Sequence, residues 1–173
     1  EGVLRPDHVV TPDFNVGALP FLGVATDLGT RRFRLGFGLY APNSLGAAMP
    51  EDEPTRYHAT KALFIASRAT LAAAWEVSDA FSLGASVSLV HTFIRASRVM
   101  NPMVLSDPDQ RFRPVSETAP YDYDLTISGQ GLTWGWDLGL LWRPTPSLRL
   151  GASFSSGSAV TMKGPVTLVG PDG

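Results

Sequence analysis

The sequence predicts an all-β fold, an antiparallel up-and-down transmembrane β-barrel of which this chain supplies one part. Three observations predict it. Period-two segments set large apolar side chains on one face against Gly, Ser, Thr and Ala on the other, the pattern of strands held between lipid and a confined polar interior. The links between those segments alternate between tight turns and long loops. With 17 Gly, 14 Pro and 17% charged residues, the composition suits many turns rather than helices.

Gly131 to Ser156 carries the pattern best. Leu132, Trp134, Trp136, Leu138, Leu140 and Trp142 alternate with Thr133, Gly135, Asp137, Gly139 and Arg143, and Leu148, Leu150, Ala152 and Phe154 repeat the alternation after a link holding Pro144 and Pro146. Two prolines exclude a central strand there, so the stretch is a hairpin. Its second face lacks the Lys and Glu that a soluble sandwich shows to water. Trp134 and Trp142 lie roughly 25 Å apart along an extended strand, a spacing that suits aromatic girdles.

Other segments follow in order. Residues 1–16 show no period. Gly17 to Leu28 reads as a strand ending in the turn Asp27-Leu28-Gly29-Thr30, and Phe33, Leu35, Phe37 and Leu39 alternate with Arg34, Gly36, Gly38 and Tyr40 in the return strand. Ala41 to Tyr57, with its prolines and acidic cluster, predicts a long loop. Ala59 to Glu76 has helical propensity, but alternation of Leu63, Ile65, Leu71 and Trp75 against Arg68, Thr70 and Glu76 favours a strand. Phe81 to Phe93 alternates throughout. Residues 97–120 predict a second long loop, and a third is expected beyond 162. Between Tyr121 and Arg143 the apolar parity flips at Gly129-Gln130-Gly131, which predicts a β-bulge or a turn between two short strands.

A formal charge of −2 over 173 residues gives no case for nucleic acid. With no cysteine there is neither a disulfide framework nor a thiolate metal site. No apolar run reaches the roughly 18 residues of a transmembrane helix, which leaves a barrel open. From the start at Glu1 and the loop-like end at Pro171-Asp172-Gly173 the chain is expected to be an excerpt, a single partial barrel domain with any export signal outside it. About six strands are readable, fewer than the smallest barrels need.

On three stretches, LPFLGVATDLGTRRFRLGFGLYAP, AAAWEVSDAFSLGASVSLV and GQGLTWGWDLGLLWRPTPSLRLGASFSSGSAVTMKG, the sequence resembles the FadL family of outer-membrane channels for long-chain fatty acids and other hydrophobic compounds. The resemblance implies about six of some fourteen strands, the second to the seventh, with the N-terminal hatch and C-terminal strands absent from this chain. It implies passive uptake across the outer membrane of a Gram-negative bacterium, capture of ligand on extracellular loops, and lateral release through a kink in the wall. Tyr40, Pro42 and Asn43 fall at that kink. Arg98 is the expected contact for a ligand carboxylate, through a charge-assisted hydrogen bond. Met100, Met103, Leu105 and Phe112 would supply adaptable apolar contact in the outward loop. The implied partners are a long-chain fatty acid or other hydrophobic small molecule, outer-membrane lipid and lipopolysaccharide, around a monomeric barrel without cofactor. A general outer-membrane porin or structural barrel, and a soluble β-sandwich binding module, are the rivals.

Catalytic readings fail. His8, His58 and His91 have no metal-ligand spacing. Gly151-Ala152-Ser153-Phe154-Ser155 lacks the second Gly of a nucleophile elbow, and Gly36-Phe37-Gly38 and Gly129-Gln130-Gly131 lack the third Gly and the helix that a phosphate cradle needs. Asp122 and Asp124 share a face near the loop rim, where solvation or cation binding by surface sugars explains them without chemistry. Arg34, Arg68, Asp137 and Arg143 point inward, where salt bridges from wall to plug are expected. No enzyme is predicted.

Overall fold

The computed structural model describes residue 11, residues 19–109 and residues 115–171. Strands β1 (Leu22–Thr26), β2 (Phe33–Ala48), β3 (Lys61–Ser78), β4 (Phe81–Met100), β5 (Tyr123–Thr145) and β6 (Leu148–Ser155) form one antiparallel meander in sequence order. β7 (Val166–Val169) returns to pair with β5. Two short helices, α1 (Pro102–Ser106) and α2 (Val115–Thr118), and a 3-10 turn (Pro54–Tyr57) occupy the long links. The tight links at 27–30, 79–80 and 146–147 all lie at one rim.

Ladder register fixes the two faces, since residues directly opposite in an antiparallel pair share a face. Phe33, Trp75, Leu83 and Leu140 stand in one row, and Phe37, Leu71, Val87 and Trp136 in another. The opposite face carries Gly36, Ala72, Ser86, Asp137 and Ser155 in one row and Gly38, Thr70, Ser88 and Gly135 in the next. The large side chains are not a core: Trp134 is 65% and Leu71 60% exposed, and the buried apolar residues described include only Tyr57, Ala66, Val90 and Val99 besides Pro54 and two glycines. A face of large apolar side chains left uncovered by a single sheet is one that lipid accepts in a membrane barrel. The Ala-rich stretch is β3, because tertiary ladders override helix propensity.

Three boundaries differ from the sequence reading. β2 does not leave the sheet at Ala41 but runs to Ala48, with its register shifted between Tyr40 and Asn43. β4 continues to Met100, so Ser97 to Met100 belong to the sheet rather than the loop. The stretch after residue 162 is not a loop throughout, because β7 rejoins β5 along Asp124 to Ile127.

The fourth correction concerns the parity flip. β5 is one strand, paired with β4 from Tyr123 to Trp142 with no register shift, so there is no bulge at Gly129-Gln130-Gly131. What flips is the surroundings. β4 has 20 residues, about 65 Å when extended, whereas an apolar band of about 25 Å needs only about 10 tilted residues. The loop-side half of these strands therefore stands outside the membrane, where the outward face accepts charge. On that side Lys61, Arg95, Ser97 and Thr126 enter the Trp and Leu face, which still holds Leu63, Ile65 and Phe93, while Phe64, Ile94 and Ile127 enter the Gly and Ser face. The change falls at the row of Asn43, Ala66, Thr92 and Gly131.

Candidate functional site

The wall is interrupted at β2. One additional residue between Tyr40, opposite Arg68, and Asn43, opposite Ala66, makes a bulge containing Ala41 and Pro42. Pro42 has no N–H to give to a ladder, which is the local reason pairing fails there. On the other edge, the β1 ladder ends at Leu22 opposite Leu39, so among the described residues β2 beyond that point is paired only with β3. Residues from both faces of β2, Ser44 and Gly46 as well as Leu45 and Ala47, line a cleft of about 1100 Å³ that wraps this free edge and includes Leu19, Lys61 and Arg95.

The loop side of the cleft is held by a buried polar cluster. The Arg56 guanidinium donates to Tyr57 Oη at 2.7 Å and Thr118 Oγ1 at 2.6 Å, and its Nε lies 3.5 Å from Asp122 Oδ2. Asn101 Nδ2 donates to Asp122 Oδ1 at 2.6 Å and to the Thr118 carbonyl at 3.1 Å. The Arg56 guanidinium carbon also sits 4.6 Å from the Tyr57 ring centroid. Burial pushes the Tyr57 phenol above its ordinary pKa, opposed by its Thr118 hydrogen bond and the Arg56 charge. The cluster joins the 40s–50s link to the end of β4 and the start of β5. Asp122 is thus not a solvated partner of Asp124, and Arg56 was not foreseen. Nothing periodic in its Pro-rich segment distinguishes it.

The inward face within the membrane is a net of short polar side chains. Asp137 accepts from Ser86 at 2.9 Å and from Ser155 at 2.5 Å, and Thr70 shares a 2.8 Å hydrogen bond with Ser88. Arg143 pairs with Glu76 at 3.5 Å and donates to Ser82 at 2.9 Å, so Asp137 and Arg143 are engaged within the wall itself. Arg34 donates to the carbonyls of Thr30 and Phe33.

The predicted ligand residues are only partly brought together. Arg98 stands opposite Leu125 and Met100 opposite Tyr123, on the face shared by Ser86 and Ser88. Arg98 is exposed and has no ion pair among the described residues. Met103 and Leu105 lie exposed on α1, which Asn101 caps by accepting the Met103 N–H at 2.9 Å. Phe112 lies outside the described residues. Tyr40, Pro42 and Asn43 meet at the bulge. No cluster of His, Asp or Glu with metal-ligating geometry occurs among the described residues.

No curated protein matches the chain. A crystal structure of a Pseudomonas aeruginosa FadL homologue superposes with a TM-score of 0.71 at 19% identity, covering 89% of this chain and 34% of that one. The CymD monoaromatic hydrocarbon channel gives 0.61 at 18%, covering 88% and 42%. The chain thus spans less than half the length of either, and at these identities the likeness is one of fold. The sequence model described as outer membrane protein transport protein (OMPP1/FadL/TodX) matches residues 11–173. With a sheet whose broad apolar face is exposed and whose long links gather at one rim, the chain belongs to the OMPP1/FadL/TodX family of Gram-negative outer-membrane transport proteins.

Proposed function

We propose that the chain is the wall segment through which a passive outer-membrane channel hands hydrophobic compounds, long-chain fatty acids among them, to the membrane. The observation that carries this reading is the break in β2 at Tyr40 to Asn43, set at the change of face polarity and opening on a cleft lined from both faces of the strand. Ligand collects at Met103, Leu105 and Phe112 in the outward loop and moves onto the apolar inward patch of Phe64, Ile94 and Ile127. There Arg98, beside Met100, meets the carboxylate of a fatty acid. It then leaves sideways past Pro42 without crossing the polar Ser86–Asp137–Ser155 row, whose desolvation an apolar chain cannot compensate. Outer-membrane lipid and lipopolysaccharide surround a monomeric barrel that uses no cofactor and carries out no catalysis.

The test is uptake by cells that express the full-length protein and lack their own hydrophobic-compound channels. Labelled oleate and toluene are expected to accumulate above the vector control, while proteoliposomes should not swell in sugars. Sugar swelling with no gain in oleate or toluene would establish the porin instead.

A further inference from the structure

A second interruption lies at the other side of the sheet. Between Ser155 and Val166 the chain leaves the ladder of β5, keeps hold of its edge at Ser156, Lys163 and Pro165, and then resumes as β7. Ser128, Gln130 and Trp136 reach across this edge, to Pro165, Lys163 and Ser156 respectively. Leu132 and Trp134, whose main chains face the same edge, have no hydrogen-bond partner there among the described residues. Both residues belong to the outward apolar face, 61% and 65% exposed. Unpaired main chain in a lipid-facing wall costs several kcal/mol per group, so the interruption is not what a closed wall would select.

The missing stretch has folded inward. A Cβ on Gly131 would meet Val160 Cγ1 at 2.5 Å and the Thr161 carbonyl oxygen at 2.6 Å, and one on Gly135 would meet Ser158 Oγ at 2.7 Å. Both glycines lie on the inward face, opposite Thr92 and Ser88. Those two partners, with Val90 between them, are among the most buried residues described, at 5%, 1% and 7% exposed. Residues 158–161 therefore pack against the inside of β5 rather than alongside it. The gap lies level with the β2 bulge, because Tyr40 and Asn43 share rows with Thr133 and Gly131.

We propose that the wall has a second lateral portal, between the Leu132–Trp134 edge of β5 and the inward-folded residues 158–161, through which uncharged apolar molecules pass between lumen and lipid. The proposal rests on the transport reading above. The passing segment, residues 155–164 (SSGSAVTMKG), carries no acid, and Lys163 is its only charge. Its lining of Ser158, Val160 and the Leu132 and Trp134 side chains suits a compound without a carboxylate, whereas the β2 cleft has Lys61 and Arg95 beside it.

The test uses the full-length protein in four forms: wild type, Pro42 deleted to restore the β2 register, Gly131→Val with Gly135→Val to expel the inward segment, and all changes together. With toluene as probe, each single closure should retain uptake, and the combined form should fall to the vector background. If Pro42 deletion alone reaches that background, or the valines change nothing in the deleted form, the second portal is overturned. Wild-type uptake no better than vector would overturn the transport reading, and the portal with it. Independently of any variant, amide exchange in lipid nanodiscs should be fast at Leu132 and Trp134, reached from the lumen, and slow at Gln130, whose N–H is 2.9 Å from the Lys163 carbonyl. Slow exchange at all three would also overturn the portal.

Discussion

Arg56 is 2% exposed and reaches Tyr57, Thr118 and Asp122 at once. Removing one partner of a buried ion pair leaves the other charge uncompensated. Arg56→Ala is therefore expected to cost about 3–5 kcal/mol of local stability, read as faster protease nicking between Asn101 and Asp122 while the barrel still migrates as folded on an unheated gel. Nicking at the wild-type rate would show that the cluster does not hold the loops. Tyr57 adds a pH dependence. Its folded pKa is raised, chiefly by burial, so its contribution is complete below the ordinary tyrosine range and is lost as pH rises through the raised folded value. Nicking should accelerate in strong alkali, and Tyr57→Phe should flatten that rise. None of this was legible in the sequence. Asp122 and Asp124 read naturally as a solvated rim pair, and Arg56 meets Asp122 only because the strands between them bring separate links together.

At the scale of elements, the sequence revealed which segments are strands and where the chain turns tightly, because alternation and Pro or Gly mark both. It did not reveal where strands end or why parity flips. Alternation reports which face meets apolar surroundings, and a strand that leaves the membrane exchanges those surroundings without changing its backbone. Leu125 and Ile127 are thus inward and Leu132 outward on one unbroken β5. The same reasoning recovers Ala41 to Ala48 as strand, since Pro42 and the acidic residues that follow made a continuation look like a loop. A pair of substitutions tests the inversion. Leu138→Arg, on the outward face within the membrane, should cost about 2–4 kcal/mol in lipid, and Gln130→Arg, at the change of polarity, about 0–1 kcal/mol. Equal costs in reversible unfolding from lipid vesicles would contradict the assigned depth.

For the whole molecule, the outward face decides between membrane wall and soluble sandwich. Trp75, Trp134, Trp136 and Trp142 all lie on it, each at least 38% exposed. Brominated lipids should quench the tryptophan emission of the full-length protein, and quenching should be unchanged after loop-cluster variants such as Arg56→Ala. Emission indifferent to bromine would mean that the tryptophans face a protein core. The polarity of the faces and the rim asymmetry were both visible in the sequence. The two wall breaks were visible only in part: Pro42 announced the first, while the second depends on a segment whose Ser and Gly composition carries no period. The central claim is that hydrophobic ligand leaves through the side of the wall. It is tested most directly by mapping where a diazirine-bearing fatty acid labels the full-length channel during uptake. Labelling is expected at Leu19, Asn43 and Leu45 around the β2 break, and absent from Arg34, Gly36 and Ser153 on the inward face near the tight turns. Labelling that continued down that face to the turn rim would show axial passage and contradict the account.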